Sequence, residues 1–156
     1  LKRHPRTNVI WAHVGLGRVV HPVQTTAAVG AAERPAGHLA LVEAMLADPA
    51  LAHLYFDISW DEVAKYAVAS PEATQRLAAL INRYPDRFLF GTDEVAPADQ
   101  AKYLKVYVMY DPLWARLTPE AREKVRKGNY VRLFDGARRK VRAWEAANVI
   151  PRKEFR

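Results

Sequence analysis

Cysteine is absent from this sequence of 156 residues. Without thiols the chain can form no disulfide and offers no thiolate to a metal, so a metal site would have to use imidazole and carboxylate groups. The absence leaves the redox compartment undetermined. Long apolar runs are also missing, since no stretch approaches the roughly 18 residues that a membrane-spanning helix needs. We therefore expect no membrane-inserted segment.

The sequence also lacks an initiating methionine and a signal-peptide pattern. It opens at Leu1 and runs into Lys2-Arg3-His4-Pro5, which resembles the tail of a preceding helix rather than a natural start. We expect residues 1–156 to form a single domain that is a fragment of a longer chain. A cytoplasmic location is our prediction, with a periplasmic one left open because the natural N-terminus is not visible.

Acidic residues are outnumbered by basic ones, 17 to 24, which gives a net charge of +7. An excess of positive charge favours an anionic substrate or partner. Much of the excess lies in the last third of the chain, where basic and acidic residues are interspersed as on the solvent faces of surface helices. No recognised nucleic-acid-binding motif accompanies this charge. We therefore predict a solvated surface and no nucleic-acid partner, with binding to nucleic acid as the less favoured alternative.

Three short apolar runs each end in a side chain that can bind a metal or move a proton. The runs are Asn8–His13, Leu54–Asp57 and Arg87–Asp93. Helical patterns separate them along the chain. Alternation of short strands with longer helices favours an α/β fold with a parallel sheet over an all-helical or all-β fold.

The side chains that end these runs are expected to converge. In parallel α/β folds the carboxyl ends of the strands face the ligand crevice, which would place His13, Asp57 and Asp93 on the same side of the sheet. Imidazole and carboxylate groups suit zinc, manganese or iron. Each residue also has a structural explanation, because a lone histidine is as often structural as functional and Asp57 could serve as a helix N-cap.

Helix signals occupy the segments between and after these runs. Ser59 and Glu62 have the capping-box spacing, and Ser70 precedes a proline suited to the first helical turn. Gly128 is expected to end one helix and Asp135 to cap the last one. Residues 14–37 are expected to form a long loop. The predicted helices cover approximately residues 38–47, 61–69, 71–83, 100–117, 119–127 and 136–147.

Four sequence elements occur here in a distinctive order. They are Trp11-Ala12-His13-Val14-Gly15, Tyr55-Phe56-Asp57, Phe90-Gly91-Thr92-Asp93 and Gly128-Asn129-Tyr130-Val131-Arg132-Leu133-Phe134. This order resembles the end of the amidohydrolase-related family, which comprises metal-dependent hydrolases and decarboxylases built on a (β/α)8 TIM barrel. The resemblance implies that the chain is the C-terminal part of such a barrel, with its last three strands and closing helices.

The resemblance also implies roles for individual residues. Asp93 resembles the final-strand aspartate that binds the metal or takes a proton from its water. His13 resembles the sixth-strand histidine, which is a metal ligand in binuclear members and is free for catalysis in mononuclear ones. Both are therefore candidate catalytic and metal-binding residues, for a divalent metal that we expect to be zinc or, alternatively, manganese. Arg18 is a candidate anchor for a substrate carboxylate, whereas Asp57 resembles a position without a uniform role.

Part of the family's ligand set has no counterpart in the sequence, namely the His-x-His pair and the fifth-strand ligand. We therefore expect activity to need a missing N-terminal half. The predicted function is metal-dependent hydrolysis of a small anionic amide, ester or lactone. Non-oxidative decarboxylation and a non-catalytic α/β scaffold or binding module are the alternatives. Because a partial barrel exposes strand edges near residues 9–12 and 88–90, we expect a homo-oligomer or pairing with the missing half-barrel.

Overall fold

Three parallel strands form a sheet in the computed structural model, which describes residues 1–16 and 37–148. The strands are β1 (Val9–Trp11), β2 (Leu54–Asp57) and β3 (Phe88–Leu89), and their order β1-β2-β3 places β2 in the centre. Helices connect and follow the strands. The predicted α/β class, with three parallel strands and flanking helices, is confirmed. The closed barrel stays a prediction.

Continuous apolar sequence explains the central place of β2. Leu54 and Phe56 are fully buried and Tyr55 is nearly so, which means that both faces of this strand are covered. In the parallel register Phe56 lies opposite Trp11 of β1 and Phe88 of β3. The ring centroids are 6.2 Å apart for Trp11 and Phe56 and 5.9 Å apart for Phe56 and Phe88. Aromatic contacts therefore run across all three strands.

Seven α-helices lie in the described part of the chain. They are α1 (His38–Ala47), α2 (Asp61–Ala67), α3 (Pro71–Arg83), α4 (Gln100–Met109), α5 (Asp111–Trp114), α6 (Pro119–Glu123) and α7 (Gly136–Asn148). None of these helices combines the length and the apolar character that crossing a membrane requires. The basic side chains of α7 are exposed.

Helix α3 follows the predicted pattern. The hydroxyl of Ser70 accepts a hydrogen bond from the backbone N–H of Ala73 at 3.1 Å, and Pro71 occupies the first turn, where its missing N–H costs nothing. Leu77 and Ile81 recur at helical spacing and are buried in the core. Both the predicted N-cap and the predicted span of this helix are confirmed.

The predicted capping box at the start of α2 is wrong. The N-cap of α2 is Trp60, which makes no side-chain cap bond, and the helix ends at Ala67 rather than at residue 69. Ser59 lies one residue too early and donates its hydroxyl proton to Asp57 instead. The Ser59 side chain, which the sequence pattern assigns to the N-cap of the helix, is therefore hydrogen-bonded to the Asp57 carboxylate.

The predicted helix over residues 100–117 is interrupted at Tyr110. Helix α4 ends at Met109, and α5 starts at Asp111 with Pro112 in its first turn. Proline supplies no backbone N–H and crowds the preceding turn, which favours a break at this point. The fully buried Tyr110 ring is fixed there by its hydroxyl group, which contacts the carbonyl oxygens of Ile58 and Trp60.

The helix end predicted at Gly128 and the cap predicted at Asp135 are both wrong. The backbone stays helical from α6 through π-helical turns at Lys124–Gly128 and Val131–Asp135 and into α7. Gly128 does not adopt the left-handed conformation that a helix-ending glycine uses. Asp135 consequently lies inside a helical segment, where no cap is needed.

Asn129 explains why the helix continues. This residue is 1% exposed, and its side-chain amide donates to the carbonyl oxygens of Pro85 at 2.7 Å and Phe88 at 2.8 Å. These long-range bonds hold the helix against the start of β3, so tertiary contacts outweigh the local preference of Gly128 to end it. The loop predicted over residues 14–37 lies largely outside the described residues, which omit 17–36.

Candidate functional site

His13 follows β1 in a tight 3-10 turn, Ala12–Gly15, because the strand ends at Trp11 and not at the histidine. His13 and Val14 have φ values of 58° and 54°, in the left-handed region that non-glycine residues rarely adopt. A left-handed valine is an unusual conformation, since branching at Cβ makes it more costly. The turn redirects the chain and leaves the His13 side chain at the carboxyl edge of the sheet.

Contacts on both sides hold this turn in place. The Val14 side chain is buried, and its carbonyl oxygen accepts a hydrogen bond from Nε2 of His38 at 2.7 Å. Gly15 has φ +73°, and a Cβ atom at this position would lie 2.9 Å from the ring of Trp11. Only glycine combines this conformation with such a close approach. The turn is therefore specified by both packing and sequence.

Asp93 reaches the same edge of the sheet from β3. The backbone pairing extends beyond the strand, because Ile58 N–H donates to Leu89 O at 2.9 Å and Trp60 N–H donates to Thr92 O at 3.2 Å. Asp93 then adopts a left-handed φ of 51°. The strand extension and the turn together bring its carboxylate over the edge, toward the turn that carries His13.

The predicted convergence of His13 and Asp93 is observed. Nε2 of His13 lies 3.7 Å from Oδ2 of Asp93, and the two side chains are 30% and 45% exposed. This separation exceeds a normal hydrogen bond, so the two atoms face each other without being bonded. The indole ring of Trp60 covers the imidazole with a centroid distance of 5.1 Å. The assigned roles of both residues in catalysis and metal binding stay predictions.

Asp57 joins the site through Ser59. Asp57 accepts hydrogen bonds from the backbone N–H of Ser59 at 2.9 Å and from its hydroxyl group. The Ser59 oxygen lies 3.3 Å from Nδ1 of His13. Burial raises the pKa of Asp57, opposed by the two Ser59 bonds and by the positive charge that His13 can carry. Sequence reasoning missed Ser59, although a serine two residues after a strand-ending aspartate is a recognisable turn signal.

An aromatic cluster packs against the segments that follow β2 and β3. The ring of Phe90 lies 5.2 Å from Tyr110 and 5.1 Å from Trp114, both in edge-to-face contact. Burial, followed by the negative charges of Asp57 and Asp61, raises the pKa of Tyr110 well above its usual range. Tyr110 therefore stays neutral and serves as a hydrogen-bond donor to the loop that carries Ser59.

His13 and Asp93 are suitable ligand types for a divalent metal, but two ligands are fewer than a catalytic metal usually has. An imidazole nitrogen and a carboxylate oxygen are typical ligands of zinc and manganese. Within residues 1–16 and 37–148, however, no group of three or more histidine, aspartate or glutamate side chains is arranged to hold a metal ion. A catalytic zinc usually has three protein ligands. Arg18, the candidate substrate anchor, lies outside the described residues.

Comparison with known protein families identifies the family of the chain. A family model described as amidohydrolase matches residues 1–136. The chain belongs to the amidohydrolase family. Amidohydrolases have hydrolase-like or decarboxylase-like functions and are generally metal-dependent. Neither the curated proteins nor the solved structures contain a significant match to this amidohydrolase chain.

Proposed function

We propose that this chain carries one side of the active site of a metal-dependent hydrolase that cleaves a small anionic amide, ester or lactone. The observation that supports the proposal is the approach of His13 Nε2 to Asp93 Oδ2 at 3.7 Å, at the carboxyl edge of a parallel sheet in an amidohydrolase chain. Catalytic groups of (β/α)8 enzymes lie at this edge.

The two side chains can each hold or move a proton. The Asp93 carboxylate is 45% exposed, and its Oδ2, which faces His13, is an oxygen that can accept a proton. Nε2 is the ring nitrogen through which His13 can take up a proton and release it again, because Nδ1 faces Ser59. A divalent metal held by these groups and by further donors would supply a bound water of lowered pKa.

The further metal ligands and the substrate contacts would come from outside the described residues or from another polypeptide. We propose that β1, β2 and β3 are neighbouring strands of a (β/α)8 barrel, and that β1 and β3 pair with additional strands. Ile10 and Trp11 of β1 are 38% and 39% exposed, which leaves apolar surface for such a neighbour. Sedimentation of the chain as a stable monomer would contradict pairing with a second copy.

Zinc titration of the purified chain tests the proposed site. We expect zinc to shift the ring-nitrogen NMR signals of His13 before those of the other histidines, and we expect Asp93→Ala to abolish this selectivity. Asp61→Ala is the matched control, since it removes a similarly exposed carboxylate that pairs with Lys65 at 3.1 Å instead of facing His13. Circular dichroism would confirm that each variant folds.

The outcomes separate the proposal from its rivals. Zinc that shifts all histidines alike, or leaves His13 unchanged, contradicts the proposed site and favours a non-catalytic scaffold. If zinc binds at His13 and Asp93, assays with ester and carboxylic acid substrates, on the chain paired with the polypeptide that completes the ligand set, distinguish hydrolysis from decarboxylation. Hydrolytic turnover that is lost in Asp93→Ala supports the proposed reaction, whereas release of carbon dioxide alone would replace it by decarboxylation.

A further inference from the structure

Three side chains form a hydrogen-bonded series that ends at the imidazole of the candidate site. Asp57 accepts from the backbone N–H of Ser59 and from its hydroxyl group, and the hydroxyl oxygen lies 3.3 Å from Nδ1 of His13. Ser59 is 5% exposed, so water has little access to replace these partners. The series connects the end of β2 to the turn that follows β1.

The direction of these bonds follows from the number of protons available. An ionised carboxylate can only accept, and a serine hydroxyl has a single proton to donate. That proton points to Asp57, so the Ser59 oxygen presents only lone pairs to His13. The contact with Nδ1 can therefore be a hydrogen bond only if Nδ1 carries the proton. In the neutral imidazole Nε2 is then left without one.

The geometry at Nε2, on the opposite side of the ring, is consistent with a proton on Nδ1. Nε2 of His13 lies 3.7 Å from the Asp93 carboxylate, which is beyond hydrogen-bond distance. A protonated Nε2 would gain a charge-assisted bond by approaching Asp93. Two unprotonated acceptors facing a common space would instead keep this separation, and both could then bind the same proton or cation.

We propose that Ser59, oriented by Asp57, is a positioning residue that fixes His13 in the tautomer with the proton on Nδ1 and so presents an unprotonated Nε2 to the reaction site. The use of Nε2 in catalysis rests on the proposed function, whereas the tautomer itself does not. Second-sphere groups of this kind commonly fix the orientation and tautomer of a histidine that binds a metal.

The loop that carries Ser59 is built to keep its position. Trp60 has a left-handed φ of 89°, its N–H donates to Thr92 O at 3.2 Å, and its carbonyl oxygen lies 3.1 Å from the Tyr110 hydroxyl. A non-glycine residue keeps such a conformation only where its surroundings fix it. Ile58, on the other side of Ser59, is held by Leu89 and by the Tyr110 hydroxyl group. Ser59 therefore lies between two fixed residues, as expected of a side chain that orients another.

Nitrogen-15 NMR of the histidine rings tests the proposal without any substrate. Spectra of metal-free protein, at a pH where His13 is neutral, distinguish protonated from unprotonated ring nitrogens, and His13→Gln identifies the His13 signals. His38 is the internal reference, because its Nε2 donates to a carbonyl oxygen and must carry the proton. We expect His13 and His38 to show opposite tautomers. The same tautomer in both residues would overturn the proposal.

Two variants test the cause of the tautomer. Ser59→Ala removes the acceptor, so we expect the proton of His13 to move largely to Nε2. Asp57→Asn keeps the shape of the side chain but can place an N–H₂ donor on the Ser59 oxygen, which turns the hydroxyl proton toward Nδ1 and again moves the His13 proton to Nε2.

The results of the two variants can be interpreted separately from metal binding. Unchanged His13 signals in both variants would show that Ser59 does not set the tautomer. If Ser59→Ala fails to fold, the nearly isosteric Asp57→Asn still decides the question. Failure of zinc to bind, with the Nδ1 proton observed, would contradict the proposed function and leave the positioning role of Ser59 standing.

Discussion

At the amino end of the sheet, side chains hold the strands with hydrogen bonds to backbone carbonyl groups, whereas at the carboxyl end the backbone itself is strained. At the amino end, Arg87 donates to the carbonyl oxygens of Leu54 at 2.5 Å and Leu51 at 2.7 Å. Asn129 does the same for the residues around the start of β3. These bonds satisfy buried or partly buried carbonyl groups, and those of Asn129 join the helical segment that follows α6 to the sheet.

The carboxyl end has a different construction. His13, Val14, Trp60 and Asp93 all have positive φ values there. Each such conformation costs on the order of 1–3 kcal/mol and persists only when the surrounding structure fixes it. The strain is concentrated around the two side chains of the candidate site. Hydrogen bonds at the amino end of the sheet stabilise the fold. Strained backbone at the carboxyl end lowers the free energy of unfolding and holds an imidazole and a carboxylate close together.

The largest expected effect is at the amino end. Asn129→Ala removes two hydrogen bonds of a buried side chain, so we expect the free energy of unfolding to fall by about 3 kcal/mol. Asn82→Ala is the matched control, because Asn82 makes exposed bonds with Arg116 and Thr118 and should cost about 1 kcal/mol. Urea unfolding measures both. Equal losses would show that the buried clamp at Asn129 has no special importance.

A smaller change in stability is expected from replacing glycine at a left-handed position, Gly15, and at a helical position, Gly136. Gly15→Ala should destabilise the protein by about 1–2 kcal/mol for the left-handed conformation alone, with an added cost from contact with Trp11. Gly136→Ala is the control, since this glycine is helical, has open space around it and should gain about 1 kcal/mol. Thermal unfolding compares the variants. A stabilised Gly15→Ala protein would contradict the strained turn.

The pH dependence of stability should differ in sign between the two ends. The raised pKa of Asp57 means that its favourable contribution is complete below its unfolded pKa of about 3.8 and is lost as pH rises through the folded pKa. Asp57→Asn should therefore gain stability relative to the wild type as pH rises above about 3.8. Unfolding of both proteins at a series of pH values measures this trend.

Asp48, before the amino end of β2, provides the opposite case. Its bonds with Lys2 and with the backbone of Ala50 lower its pKa, so its contribution is present above about 3.8 and is lost as pH falls through the folded pKa. Asp48→Asn should lose stability relative to the wild type as pH rises through that range. Parallel trends for the two variants would contradict the assigned environments.

Much of the fold follows from the sequence. Apolar runs predict the three strands, and the Ser70-Pro71 start of α3 has a local physical cause, namely an N-cap and a proline in the first turn. The proximity of His13 and Asp93 also follows, because parallel strands place their carboxyl ends at one edge. These features depend on periodicity and topology, which a single sequence contains.

Other features depend on contacts between distant segments. The helix continues past Gly128 because Asn129 reaches Pro85 and Phe88, more than forty residues away in sequence. The Ser59 side chain does not cap α2 because it contacts Asp57 and His13 instead. The left-handed turns at the site have no propensity signal in residues such as Val14. Local sequence cannot reveal partners that only the folded chain brings together.

Anomalous diffraction from crystals of the chain soaked with zinc would test the central claim most directly. We predict a zinc peak bonded to both Nε2 of His13 and Oδ2 of Asp93, at about 2.0–2.2 Å from each atom. Zinc bound elsewhere, with His13 and Asp93 making no contact to it, would contradict the claim that the two residues form one metal-binding site.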